Sequence, residues 1–173
     1  MTERASLIKK EAYLEGEFIT RAGHKTTYYI DKYKFTTQPH ILSLLADSIA
    51  ALLPDPAAYD RLAAPELGAV PIVAAVALRV KKPFVIVKKQ PKEYGTNRLI
   101  EGGFFSGEKM VLLEDIITTG GAVLRAYDVL VEQGVQVVKI IGVVNREEGG
   151  MASIASRKIP ATALVTTTQL QAC

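Results

Sequence analysis

The segment Met110-Val111-Leu112-Leu113-Glu114-Asp115-Ile116-Ile117-Thr118-Thr119-Gly120-Gly121-Ala122 constrains this chain more than any other. Four apolar residues running into an adjacent Glu-Asp pair read as a buried parallel strand, from Met110 to Asp115, that reaches the carboxyl edge of a sheet. Ligands of open α/β sheets bind at that edge. Thr118-Thr119-Gly120-Gly121 then opens a helix. Its glycines permit close backbone approach, its hydroxyls can donate, and the free N–H groups and dipole of a helix start suit a phosphate. Glu114 and Asp115 cannot hold a phosphate themselves, so they face ribose hydroxyls or a cation bound to them. The combination reads as a sugar-phosphate site. The plain alternative is a strand end followed by a helix that Thr118 caps.

Alternation of strand and helix patterns surrounds this segment. A strand at 61–64, a helix at 70–79, a strand at 84–88, the 110–115 strand, a helix at 121–133, a strand at 135–145 and a last strand at 161–167 imply right-handed βαβ crossovers and a mostly parallel sheet flanked by helices. Upstream, Leu7, Ile8 and Leu14 among charges predict a short amphipathic helix within residues 2–14. Two β-rich runs, 18–20 and 26–30, flank a Gly-containing turn and read as a hairpin. Ile41, Leu42, Leu45, Ile49, Leu52 and Leu53 then recur at helical spacing until Pro54, with Thr37 a candidate cap and Pro39 in the first turn. Residues 89–108 are polar, Gly-rich and aperiodic, and loops of that length in compact domains are usually functional or disordered.

With 173 residues, 49% of them hydrophobic, the chain suits one globular domain. A net charge of +3, with lysines dispersed except near 81–92, does not indicate nucleic-acid binding. The sole cysteine, Cys173, excludes an intramolecular disulfide and a cysteine metal cage, and two histidines without ligand spacing give no support for zinc. No stretch approaches the roughly 20 apolar residues of a membrane span, and the start lacks a signal-peptide core. These features predict a cytoplasmic protein with no membrane partner.

The 110–122 segment resembles the phosphoribosyl-pyrophosphate (PRPP) motif of type I phosphoribosyltransferases: apolar residues, two acids, two apolar residues, Thr, a small residue and Gly. Further stretches resemble the orotate phosphoribosyltransferases within that family. Lys88-Lys89-Gln90-Pro91-Lys92-Glu93-Tyr94 with Ile100-Glu101-Gly102 is similar to their catalytic loop, Phe18 to Asp31 to their N-terminal signature, and Asn145-Arg146-Glu147-Glu148-Gly149-Gly150 to the segment carrying their post-strand arginine. Pro65-Glu66-Leu67-Gly68 resembles the pyrophosphate loop. There the chain departs from many members, which carry a lysine where Gly68 stands.

The resemblance implies a type I phosphoribosyltransferase fold, a core at 38–173 and a small β-containing hood at 1–37. It implies conversion of PRPP and orotate to orotidine 5′-monophosphate and pyrophosphate, with Mg²⁺ held mainly by PRPP and water, in de novo pyrimidine biosynthesis. Thr118, Thr119, Gly120, Gly121 and Ala122, following Ile116 and Ile117, would hold the 5-phosphate. Glu114 and Asp115 would meet the ribose, and Lys88, Lys89, Lys92 and Tyr94 the pyrophosphate side, with Lys92, Asp115 and Glu114 as the catalytic set. Arg21, Tyr28, Tyr29, Ile30, Thr118 and Arg146 would border orotate, Arg146 pairing with its carboxylate. A homodimer in which the lysine loop reaches the neighbouring active site is also implied. A purine or uracil enzyme of the same type, or a non-catalytic PRPP sensor, are the alternatives.

Overall fold

The computed structural model describes residues 3–19, 23, 25–90 and 98–173. Helix α1 (Glu3–Ala12) buries Ala5, Ile8 and Ala12, one stripe at helical spacing. Residues 13–14, expected inside that helix, instead begin β1 (Tyr13–Ile19), because Tyr13 and Leu14 pair with Ile30 and Tyr29 of the antiparallel β2 (Lys25–Ile30). The hairpin is therefore longer at its base than the β-rich runs suggested.

Asp31 caps the short α2 (Lys32–Thr36) by accepting from the Tyr33 N–H. Helix α3 (Pro39–Ala50) has Gln38 at its N-cap and proline in its first turn. The expected Thr37 cap is not used: its hydroxyl donates to the Tyr33 carbonyl at 2.6 Å and closes α2 instead.

The main sheet has six strands in the order β5-β4-β3-β6-β7-β8. These are β3 (Arg61–Pro65), β4 (Phe84–Val87), β5 (Ile100–Glu101), β6 (Lys109–Ile117), β7 (Gln136–Asn145) and β8 (Ala161–Thr166). All neighbours are parallel except β5, a short antiparallel edge strand inside the aperiodic stretch. Helices α4 (Val70–Val80), α5 (Gly121–Glu132) and α6 (Gly150–Ser156) connect the parallel strands, and α7 (Thr167–Gln171) follows β8.

The core has two apolar layers, one on each sheet face. Ile8, Ile41, Ile72 and Leu170 pack with Val111 and Leu113 in one, and Val123 and Ile154 pack with Met110 and Leu112 in the other. Alternate residues of β6 serve alternate layers, as a strand covered on both faces requires. From β3 the chain winds outward to β4, and from β6 it winds the opposite way to β7 and β8. The reversal lies between β3 and β6, and a doubly wound sheet opens its ligand crevice at such a switch point.

Candidate active site

Strand β6 outruns the predicted 110–115 span. Ile116 and Ile117 remain paired with Val144 and Asn145 of β7, so the acidic pair sits within the strand rather than at its end. Across Glu114 and Asp115 the alternation changes phase, since Ile116 packs with the layer of Leu113 while Ile117 joins that of Leu112. Each carboxylate here accepts from the next residue's backbone: Asp115 N–H donates to Glu114 Oε1 at 3.0 Å and Ile116 N–H to Asp115 Oδ1 at 2.6 Å.

Both acids are buried, at 5% and 3% exposure, and their surroundings differ. Asp115 Oδ2 pairs with Lys32 Nζ at 2.8 Å. Glu114 Oε2 is buried and has no hydrogen-bond partner. Burial, reinforced by the neighbouring Asp115 charge, pushes the Glu114 carboxyl well above the usual carboxylate range. Burial also opposes the charge on Lys32, but the hydrogen bond and attraction from Asp115 outweigh it and raise that pKa.

Past β6 the chain turns at Gly120, whose φ of 85° favours glycine, and enters α5 with no side chain capping its first turn. The helix start is thus open to an anion, with Thr118 half-buried and Thr119 and Ala122 exposed beside it. A second segment braces this turn. Gly150 N–H donates to the Thr118 carbonyl at 2.9 Å, and Arg146 N–H to the Ile117 carbonyl at 2.8 Å. Ile116 and Ile117 contribute backbone and core packing here, Ile117 being 1% exposed.

The 65–68 loop lies across the switch point, between β3 and α4. A Cβ on Gly68 would stand 1.8 Å from Asp115 Oδ2 and 2.8 Å from Lys32 Cδ and Cε. No side chain can occupy position 68 while that ion pair stands, which accounts physically for the absence of a lysine there. Pro65 is buried and Leu67 exposed, while Glu66 Oε1 accepts from the Lys89 N–H at 2.8 Å. Lys88 is engaged with Glu101 at 2.8 Å and its side chain is 8% exposed; Lys89 is exposed. Glu66, Lys88, Lys89 and Arg125 share a cavity of about 230 Å³ against α5.

At the end of β7, the Arg146 guanidinium lies 5.0 Å over the Tyr28 ring, which is itself stacked on Tyr13 at 5.2 Å. Arg146 also pairs with Glu148 at 3.0 Å, yet its Nε is buried without a partner. Tyr29 is 47% exposed and packs beside Phe18. Ile30 does not border an open site. It is 3% exposed and belongs to the core, because it closes the hairpin base opposite Tyr13. Arg21, Lys92 and Tyr94 lie outside the described residues.

The structure therefore brings together the acidic pair, the Thr118–Gly121 turn, the 65–68 loop and Arg146. Sequence reasoning missed Lys32, Tyr13 and Arg125. Lys32 carried only one signal, a lysine directly after the Asp31 cap, and nothing local tied it to Asp115.

The phosphoribosyl transferase domain model matches residues 34–161. An orotate phosphoribosyltransferase of Natronomonas pharaonis is 46% identical over 94% of this chain and 91% of its own length. One of Methanocella arvoryzae is 41% identical over 98% of this chain and 96% of its own. Among solved structures, the orotate phosphoribosyltransferase of Aeropyrum pernix superposes with a TM-score of 0.84 at 25% identity, covering 96% of this chain and 94% of that one. With the acidic pair, the open helix start and the post-strand arginine at one sheet edge, these likenesses make the chain a member of the orotate phosphoribosyltransferase family within the type I phosphoribosyltransferases.

Proposed function

We propose that this chain transfers the 5-phosphoribosyl group of PRPP to N1 of orotate. The bond from ribose C1 to the diphosphate oxygen breaks, the C1–N1 bond forms, the N1 proton leaves to solvent, and pyrophosphate departs. The observation that carries the orotate assignment is Arg146: a guanidinium braced over Tyr28, with a buried Nε that has no partner. A planar guanidinium fork matches a planar carboxylate, and that group separates orotate from uracil.

Position supports the roles assigned here to the described residues, and the family resemblance those assigned to Lys92 and Arg21. The Thr118–Gly121 turn and the uncapped start of α5 receive the 5-phosphate. Glu114 and Asp115 face the ribose, where an oxocarbenium-like transition state gathers positive charge that a fixed carboxylate stabilises. No covalent nucleophile is required; alignment of the two reactants supplies much of the rate. Tyr28 supports Arg146, and the lysines at 88, 89 and 92 serve the pyrophosphate side, with Arg21 at the base.

Magnesium suits this site as a companion of the diphosphate rather than of a protein cage. Among the described residues no group of three or more His, Cys, Asp or Glu side chains could hold an ion, and Asp115 is already paired with Lys32. Mg²⁺ keeps several waters and takes few carboxylates, so Glu114 and Asp115 would meet it through its waters. When bound it neutralises the charge of the departing pyrophosphate. The reading includes a cytoplasmic homodimer with shared sites, which the family resemblance implies.

The test is orotate consumption with PRPP and Mg²⁺, run against uracil, adenine, guanine and hypoxanthine. Turnover of orotate alone supports the assignment. Preference for another base, or tight PRPP binding without turnover on any of them, overturns it.

A further inference from the structure

Three residues from separate parts of the chain meet where the hood joins the sheet. Lys32 opens α2, directly after the hairpin; Asp115 lies in β6; Gly68 ends the loop after β3. The Lys32 stem runs so close to Gly68 that a Cβ there would stand 2.8 Å from its Cδ and Cε. The ammonium ends 2.8 Å from Asp115 Oδ2, and the side chain keeps 34% of its surface open to solvent.

The two lysines that follow β4 near this loop are disposed differently. Lys88 is turned into a pair with Glu101 and is 8% exposed, and Lys89 extends into solvent from a backbone tied to Glu66. The 65–68 loop leads into α4, whose first turn has no side-chain cap, so its N–H groups and dipole favour an anion beside Gly68. Lys32 overhangs that same loop. In the free protein Asp115, buried and next to Glu114, holds it back.

We infer that Lys32 is a further substrate-binding residue: paired with Asp115 in the free protein, it turns its ammonium to the diphosphate of PRPP when the ribose hydroxyls engage Asp115. Gly68 is the small residue that lets the lysine lie across the loop. The exchange keeps each charge partnered at every stage, which matters because an unpaired buried charge is costly. It also links the hood to the core, since Lys32 opens α2 directly after β2 and pairs with Asp115 of β6. This inference rests on the PRPP reading of the site and not on which base accepts the ribose.

Equilibrium binding of inorganic pyrophosphate and of ribose 5-phosphate, each with Mg²⁺, separates the two roles Lys32 could have. Lys32→Gln should weaken pyrophosphate binding by about 10-fold or more, the loss of a charge-assisted contact, and alter ribose 5-phosphate binding by less than about 3-fold. Lys34→Gln, an exposed change of equal charge on the same helix, should alter neither. Because Lys32→Gln strands the buried Asp115, the measurement is repeated in an Asp115→Asn background, which removes that stranded charge. A further drop in pyrophosphate affinity on adding Lys32→Gln to Asp115→Asn supports direct contact. Unchanged pyrophosphate affinity in either background overturns the inference and leaves Lys32 a positioning residue for Asp115. Failure of the orotate assay would overturn the proposed reaction, whereas these binding measurements read Lys32 independently of it.

Discussion

Arg146 and Glu114 show how single side chains are kept ready at a cost. Each leaves a buried polar atom without a partner, and such atoms in a native structure call for a functional reason. For Arg146 the reason proposed is the orotate carboxylate. Arg146→Ala should lower kcat/KM for orotate by about 2–4 kcal/mol of charge-assisted bonding, with PRPP affinity little changed and the disadvantage of uracil reduced. Steady-state kinetics with both bases checks it; unchanged orotate kinetics would remove Arg146 from base recognition. For Glu114 the consequence is a pH dependence. Its folded pKa lies above the unfolded one, so the native state binds the extra proton and this group's contribution is full below the ordinary carboxylate value. That contribution is lost as pH rises from there through the folded pKa. Glu114→Gln should flatten this fall, so the melting temperature of the ligand-free variant should exceed that of the parent increasingly toward alkaline pH. Parallel melting curves across that range would show that Glu114 does not carry the effect.

Elements, rather than residues, hold the phosphate turn in shape. The Gly149-Gly150 entry to α6 packs directly under Thr118–Gly120, and a Cβ on Gly150 would stand 2.4 Å from the Thr118 carbonyl oxygen, 2.6 Å from Ile117 Cγ2 and 2.8 Å from Gly120 N. All three neighbours are backbone or core atoms that cannot swing aside. Gly150→Ala should therefore cost about 1–3 kcal/mol of overpacking and displace the turn, weakening PRPP binding about 10-fold. Gly103→Ala, where nothing lies within 4 Å, should change neither stability nor binding. Thermal melts and PRPP titrations of the two variants decide it, and equal behaviour would mean the turn does not lean on α6. At the opposite end of the sheet, Arg61 and Glu108 tie the starts of β3 and β6 through two 2.9 Å bonds, and Arg61 holds the Glu108 carboxyl below its usual range. This fork anchors the strands on either side of the switch point at the end away from the ligand.

For the whole molecule the proposal is a two-fold assembly in which Lys92 serves the neighbouring site. A Lys92→Ala chain and an Asp115→Asn chain, each nearly inactive alone, would then form heterodimers with one doubly defective site and one intact site. Mixing should restore activity, up to about half the parental level per heterodimer, as isologous exchange in a two-fold dimer requires. Verified subunit exchange without recovery would confine the loop to its own chain. The contact of Lys92 would be made chiefly in the closed, reacting complex, so Lys92→Ala should damage kcat more than PRPP affinity.

What this sequence determined by itself was whatever is encoded locally. The apolar runs of β3, β4, β6 and β7, the helical spacing of α3 and the Thr-Thr-Gly-Gly entry to α5 each carry their signal within a dozen residues, so the alternating architecture and the acidic pair were legible. Short elements were not. Helices α2, α6 and α7 are five to seven residues long, too short for an apolar period to show, and the two residues of β5 are strand only because β4 lies beside them. Tertiary structure alone decided the partners: that Asp115 meets Lys32 while Glu114 Oε2 has no partner, that Tyr13 and Tyr28 stack beneath Arg146, and that Gly68 must stay small while the Lys32–Asp115 pair stands. The physical reason is that charge pairing, stacking and steric exclusion act over a few ångströms of space, and those distances exist only after strands far apart in the chain have come together.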